Sequence, residues 1–128
     1  MIVPQLLRCV PTDLKDPARW RPAGLEEIFV GVELTFAADG EPCGDFQLLI
    51  ATREAVRAMR LKSRRTAELA TSDPRTLWVS GFDWSAVLEE IRIRSESCAG
   101  ATVNEVIQKL RAKFRWEYED LEMIQVDE

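Results

Sequence analysis

Four carboxylates crowd the end of this chain: Glu117, Glu119, Asp120 and Glu122. Paired carboxylates can share acid-base work on a glycosidic bond or hold Mg²⁺ or Ca²⁺. Here alternate residues of one short stretch share a face, with no second element converging on it. The glycine-containing loop of a calcium site is also missing. They read as a solvated acidic face, and no metal, cofactor or catalytic residue is assigned. The chain has no histidine, which removes the commonest general base and excludes Ser-His-Asp and Cys-His arrangements. Its six glycines stand at least four residues apart, so no glycine-rich phosphate loop exists. Cys9, Cys43 and Cys98 are odd in number and widely separated. That spacing fits neither a disulfide framework nor a metal site and points to buried or idle thiols.

What an acidic face can do is meet a basic partner. Past Arg115 the chain carries six acidic residues and no basic one. Trp116 stands beside them, and a desolvated Trp ringed by carboxylates is the kind of anchor whose loss costs an interface about 2 kcal/mol or more. Burial of Trp116 in the core is the competing reading. The partner-binding candidates are therefore Trp116, Glu117, Glu119, Asp120 and Glu122. Charge is uneven elsewhere too. Residues 53–75 hold seven basic side chains against three acidic, a local balance of +4 within a net charge of -5, so the remainder carries -9. No aromatic or glycine lies inside that basic stretch to stack a base, and the acidic whole repels phosphate. It reads as a solvated helix followed by a loop, with no nucleic acid as partner.

The elements that must position these residues alternate. Residues 2–10 form a first strand, interrupted by Pro4 and so placed at an edge. Residues 27–37 alternate Ile28, Val30, Val32, Leu34 and Phe36 on one side against Gly31, Glu33 and Thr35 on the other, the clearest strand in the chain. Residues 38–44 supply a turn too long for a two-residue hairpin loop, and residues 45–52 return. A helix over residues 54–61, a polar loop over 63–74 and a short strand over 76–80 follow. Asp83 caps a helix running to Ser97, with Trp84, Val87, Leu88, Ile91 and Cys98 inward. Thr102 opens the next helix in a capping box with Glu105, and Val103, Val106, Ile107, Leu110 and Phe114 form its apolar stripe. Residues 114–126 give one or two last strands. The fold class is α+β: one domain over residues 1–128, with a mostly antiparallel sheet of four to five strands covered on one face by two to three helices, the other face left as a platform. A length of 128 residues suits one ordinary domain. No stretch reaches the roughly 20 apolar residues that span a bilayer, and the start lacks the pattern of a secretory signal. A cytoplasmic protein with no membrane association is expected.

The order Phe82-Asp83-Trp84, Ser97-Cys98-Ala99-Gly100-Ala101-Thr102, Glu105, Lys109-Leu110 and Trp116-Glu117-Tyr118-Glu119-Asp120 resembles the immunity protein 8 family of bacterial polymorphic-toxin systems. Asp45 to Thr52 is similar to that family's central strand and Arg19-Trp20-Arg21-Pro22 to a segment near its start. The pattern is departed from at Arg53, Ala101 and Leu121. The resemblance implies a non-enzymatic protein that binds and neutralises a cognate toxin domain, basic in character and also met in contact-dependent inhibition. Homo-oligomers are left open. The alternative is an adaptor or structural interaction module unrelated to toxins.

Overall fold

The computed structural model describes residues 1–119 of the 128. Its centre is a pair of long antiparallel strands, β2 (Phe29–Ala38) and β3 (Glu41–Ala51). Every second residue of β2, from Val30 to Ala38, is buried, so its strict alternation commits one side of the sheet to the core. β1 (Gln5–Pro11) pairs antiparallel with β2 and forms an edge. At the other side of β3, β4 (Leu77–Trp78) pairs parallel with its end, and β5 (Arg115–Trp116) pairs antiparallel with its middle. Ile2 lies outside β1 and instead exchanges backbone hydrogen bonds with Gly100, at 2.7 and 2.9 Å.

The hairpin joining β2 and β3 corrects the expected long loop. Asp39 and Gly40 both have positive φ, 52° and 75°, the geometry of a two-residue turn matched to the strands' twist. β3 therefore begins at Glu41. The residues expected in the loop are absorbed as a bulge: Phe36 faces Gly44 and Ala37 faces Pro42, with Cys43 as the extra residue.

Helices α3 (Trp84–Glu96) and α4 (Val103–Lys113) cover the core side. Asp83 accepts the N–H groups of Ser85 and Ala86 as the cap of α3. Val87 and Ile91 of α3, and Val106, Leu110 and the following Phe114 of α4, close over Leu34, Phe36, Phe46 and Leu48. Leu88, expected inward, is exposed. Thr102 caps α4 through the Glu105 N–H at 3.1 Å, but the Glu105 carboxylate reaches the N–H of Ala101 at 2.7 Å, one residue earlier than a capping box requires.

Two further helices stand on the opposite side. α1 (Arg53–Lys62) is capped by Thr52, whose hydroxyl also donates to the Leu25 carbonyl of a 3₁₀ turn at Leu25–Glu27. α2 (Arg64–Ser72) occupies the segment expected to be a polar loop. Its buried side chains are Ala67 and Ala70, which join Ala51, Val56, Phe29, Leu49 and Trp78 in a second, smaller cluster. Phe29, Leu49 and Ala51 alternate with core residues along their strands, so this cluster lies on the sheet's second face. The mostly antiparallel α+β arrangement with two helices on the core face matches the reading from sequence. The second face is not helix-free, because α1 and α2 lean over one end of it. Among the described residues no helix is long and apolar enough to cross a membrane.

Candidate partner-binding surface

β5 delivers the aromatic and acidic end of the described chain to the middle of β3. Trp116 stands opposite Phe46 and Arg115 opposite Gln47. Phe46 is a core residue, so Trp116 faces the core side and Arg115 the other. Trp116 is half-buried against the core. Its ring meets Tyr118 edge to face at 4.9 Å, and the Arg111 guanidinium lies 4.5 Å over it. Its indole Nε1 is buried with no hydrogen-bond partner among the described residues. Gly44 explains how the indole fits: its φ is 96°, and a Cβ there would stand 3.3 Å from Nε1 and 3.0 Å from Glu117 Oε1.

Glu117 is exposed and donates its backbone N–H to the Asp45 carbonyl at 3.0 Å. Tyr118 is 48% exposed. Its hydroxyl hydrogen-bonds Glu117, and that bond, with the charges of Glu117 and Asp45, pushes the phenol above its ordinary value of 10. Asp45 accepts the Thr35 hydroxyl at 2.7 Å and is itself exposed. Glu41, also exposed, opens the same strand close enough to Cys43 that, after burial, its charge helps to push that thiol up. The exposed acidic group around Tyr118 is thus Asp45 and Glu117. Glu41 stands apart from it, opposite Ala38 on the core side of the hairpin. Asp45 was legible, because the alternation of β3, which buries Phe46 and Leu48, turns it outward.

Glu119 faces inward instead. Its carboxylate takes two hydrogen bonds from the Arg75 guanidinium, one to Oε2 at 3.1 Å, and a third from the Trp116 N–H at 3.2 Å. Arg75 also binds Asp73 through Nε at 2.8 Å and donates to the carbonyls of Arg111 and Phe114 at the end of α4. Burial pushes the carboxyls of Asp73 and Glu119 up. The Arg75 bonds and the charges of Arg75 and Arg115 outweigh it and hold both below their ordinary values. Asp120 and Glu122 lie outside the described residues.

Two exposed carboxylates and a phenol can receive lysine or arginine side chains. Among the described residues no group of three or more His, Cys, Asp or Glu side chains is placed to hold a metal ion. The three thiols are free, and burial pushes all of them up, Cys9 to about 11.

The short sequence words that carried the resemblance serve architecture. Trp20 and Phe82 meet edge to face at 4.8 Å, and Phe82 stacks on Trp84 at 6.4 Å. Asp83 and Thr102 cap helices, and Lys109 holds the Ala99 carbonyl at 2.6 Å. A family model described as Immunity protein 8 matches residues 6–121. No curated protein and no solved structure matches the chain.

Proposed function

From the premise that the chain belongs to the immunity protein 8 family, we propose that it binds and neutralises a cognate toxin domain of a polymorphic or contact-dependent system in the cytoplasm. The single observation that carries this reading is the family match over residues 6–121. Neutralisation is stoichiometric and non-enzymatic: the acidic surface meets a basic active-site cleft or a nearby exosite and excludes substrate. Glu117, with Asp45 beside it and Trp116 behind it, is the part of that surface offered to the partner; Asp120 and Glu122 extend it in sequence. Opposite charges steer the encounter, so association slows as salt rises.

The toxin to use is the C-terminal domain encoded by the reading frame beside this gene. Changing Asp45 and Glu117 together to Lys should leave the fold intact, since exposed substitutions usually alter stability by no more than about 0.5 kcal/mol each. The same variant should fail to protect cells expressing the toxin, because like charges brought together cost an interface several kcal/mol. Glu119 is left out because it pairs with Arg75. A folded double variant that still protects would place the toxin-binding face elsewhere.

A further inference from the structure

The second face of the sheet is a surface in its own right. Between α2 and strands β2 and β3 lies a cleft of about 440 Å³, floored by Phe29, Gly31 and Leu49 and walled by Thr66, Leu69 and Ala70. Its size falls in the range of pockets that take compact apolar groups. Small side chains make the opening. α2 lies against the sheet through alanines, and a Cβ on Gly31 would meet only the Thr12 hydroxyl, at 3.3 Å. Glycine inside a strand gives up packing and marks a place where another group comes close. At the rim, Leu69 is 53% exposed.

Charge says what kind of segment fits. Along the same face run Glu33 and Asp45, with Glu117 beside Asp45. At the cleft's end Arg75 is already met by Asp73 and Glu119, and both carboxylates lie within electrostatic reach of Arg115. Counting Arg8, which pairs with Glu33, five carboxylates stand against three guanidinium groups. The face is apolar at one end and net acidic towards the other. Leu49 and Asp45 are four residues apart on one strand, roughly 14 Å.

We propose that this cleft is the anchoring pocket of the interface: it takes an apolar side chain from a basic segment of the toxin, which lies extended along β3 with a cation about four residues away facing Asp45 and Glu117. The proposal rests on the immunity reading above and adds where, and by what chemistry, the partner is held. Affinity comes from the filled pocket and orientation from the carboxylates.

The test uses the full chain and the toxin domain encoded beside it, carrying an inactivating substitution, with affinity and dissociation rate measured by biolayer interferometry. Gly31→Leu fills the cleft and Leu69→Glu places a carboxylate at its rim. Ile93→Glu, at a half-exposed position of α3 on the opposite side, is the control. Wild type and Ile93→Glu should bind alike, and each cleft variant should bind at least tenfold more weakly, mainly through faster dissociation. Circular dichroism and thermal melts confirm folding; should Gly31→Leu fail to fold, the exposed Leu69 position decides alone. A folded Leu69→Glu that binds within twofold of wild type overturns the pocket while leaving the immunity reading intact, as does an equal loss in Ile93→Glu. A wild-type chain that does not bind this toxin domain overturns both.

Discussion

At the scale of single residues, neighbouring carboxylates have opposite fates. Glu117 is exposed in the turn that follows β5, not in the longer strand expected there, and the acidic composition of the chain's end made its exposure readable. Glu119 was not, because its partner Arg75 lies 44 residues earlier and no local pattern links the two. At Trp116 core burial and an interface anchor competed in the sequence, and the register with Phe46 sends the ring towards the core. Tyr118 offers a direct readout of the exposed group, being the chain's single tyrosine. A phenol that donates to a carboxylate resists ionising, and its phenolate would be repelled by the same charge. Tyr118 should therefore titrate above 10 in the wild type and fall back towards 10 in Glu117→Gln, with a smaller fall in Asp45→Asn. The ultraviolet absorbance of the phenolate measures this. An unchanged midpoint in Glu117→Gln would separate Tyr118 from Glu117.

Elements were legible where side chains are large and periodic. β2 announces itself through four bulky apolar residues at alternate positions, Val30 to Phe36, and α4 through its stripe ending at Phe114. α2 escaped because its inner face is alanine: Ala67 and Ala70 are buried, but two methyl groups among Arg, Thr and Ser raise no apolar stripe. Its one local signal was Ser63, whose hydroxyl accepts the Thr66 N–H and caps the helix. The clamp made by Arg75 works at this scale too, joining the β4 approach, the end of α4 and the turn after β5. Because Asp73 and Glu119 titrate below their ordinary 3.8 and 4.5, their ionised forms favour the folded chain. That contribution is complete above those values and drains away as pH falls through the lower folded ones. Thermal melts should therefore weaken below about pH 4. Arg75→Met should cost roughly 2–3 kcal/mol at neutral pH, its groups being mostly but not fully buried, and should flatten that acid limb. A variant whose melting temperature and acid limb match wild type would show that the clamp contributes nothing.

The molecule as a whole keeps its charges apart. The basic segment became α1 and α2, with Arg53 laid over Trp78 at 3.6 Å, Arg64 paired to Glu68 and Arg75 drawn into the clamp. A segment so engaged, on an acidic protein, should give no specific complex with duplex DNA or RNA at physiological salt, where screening acts over about 8 Å. Fluorescence anisotropy titrations test this, and micromolar or tighter binding would overturn it. The composition foretold an acidic patch and a basic one but not their separation, which only the hairpin reveals. β3 carries Glu41 at one end and hands over to α1 at the other, a span of about 34 Å. A local balance of +4 over residues 53–75 against -9 elsewhere makes the protein an electric dipole, so a basic body approaching it exerts a torque before any atoms touch. The protein turns as a compass needle does, acidic face foremost. Added salt would then do more than slow the encounter: it would randomise the angle of arrival, and a smaller share of collisions would begin with Asp45 and Glu117 towards the toxin.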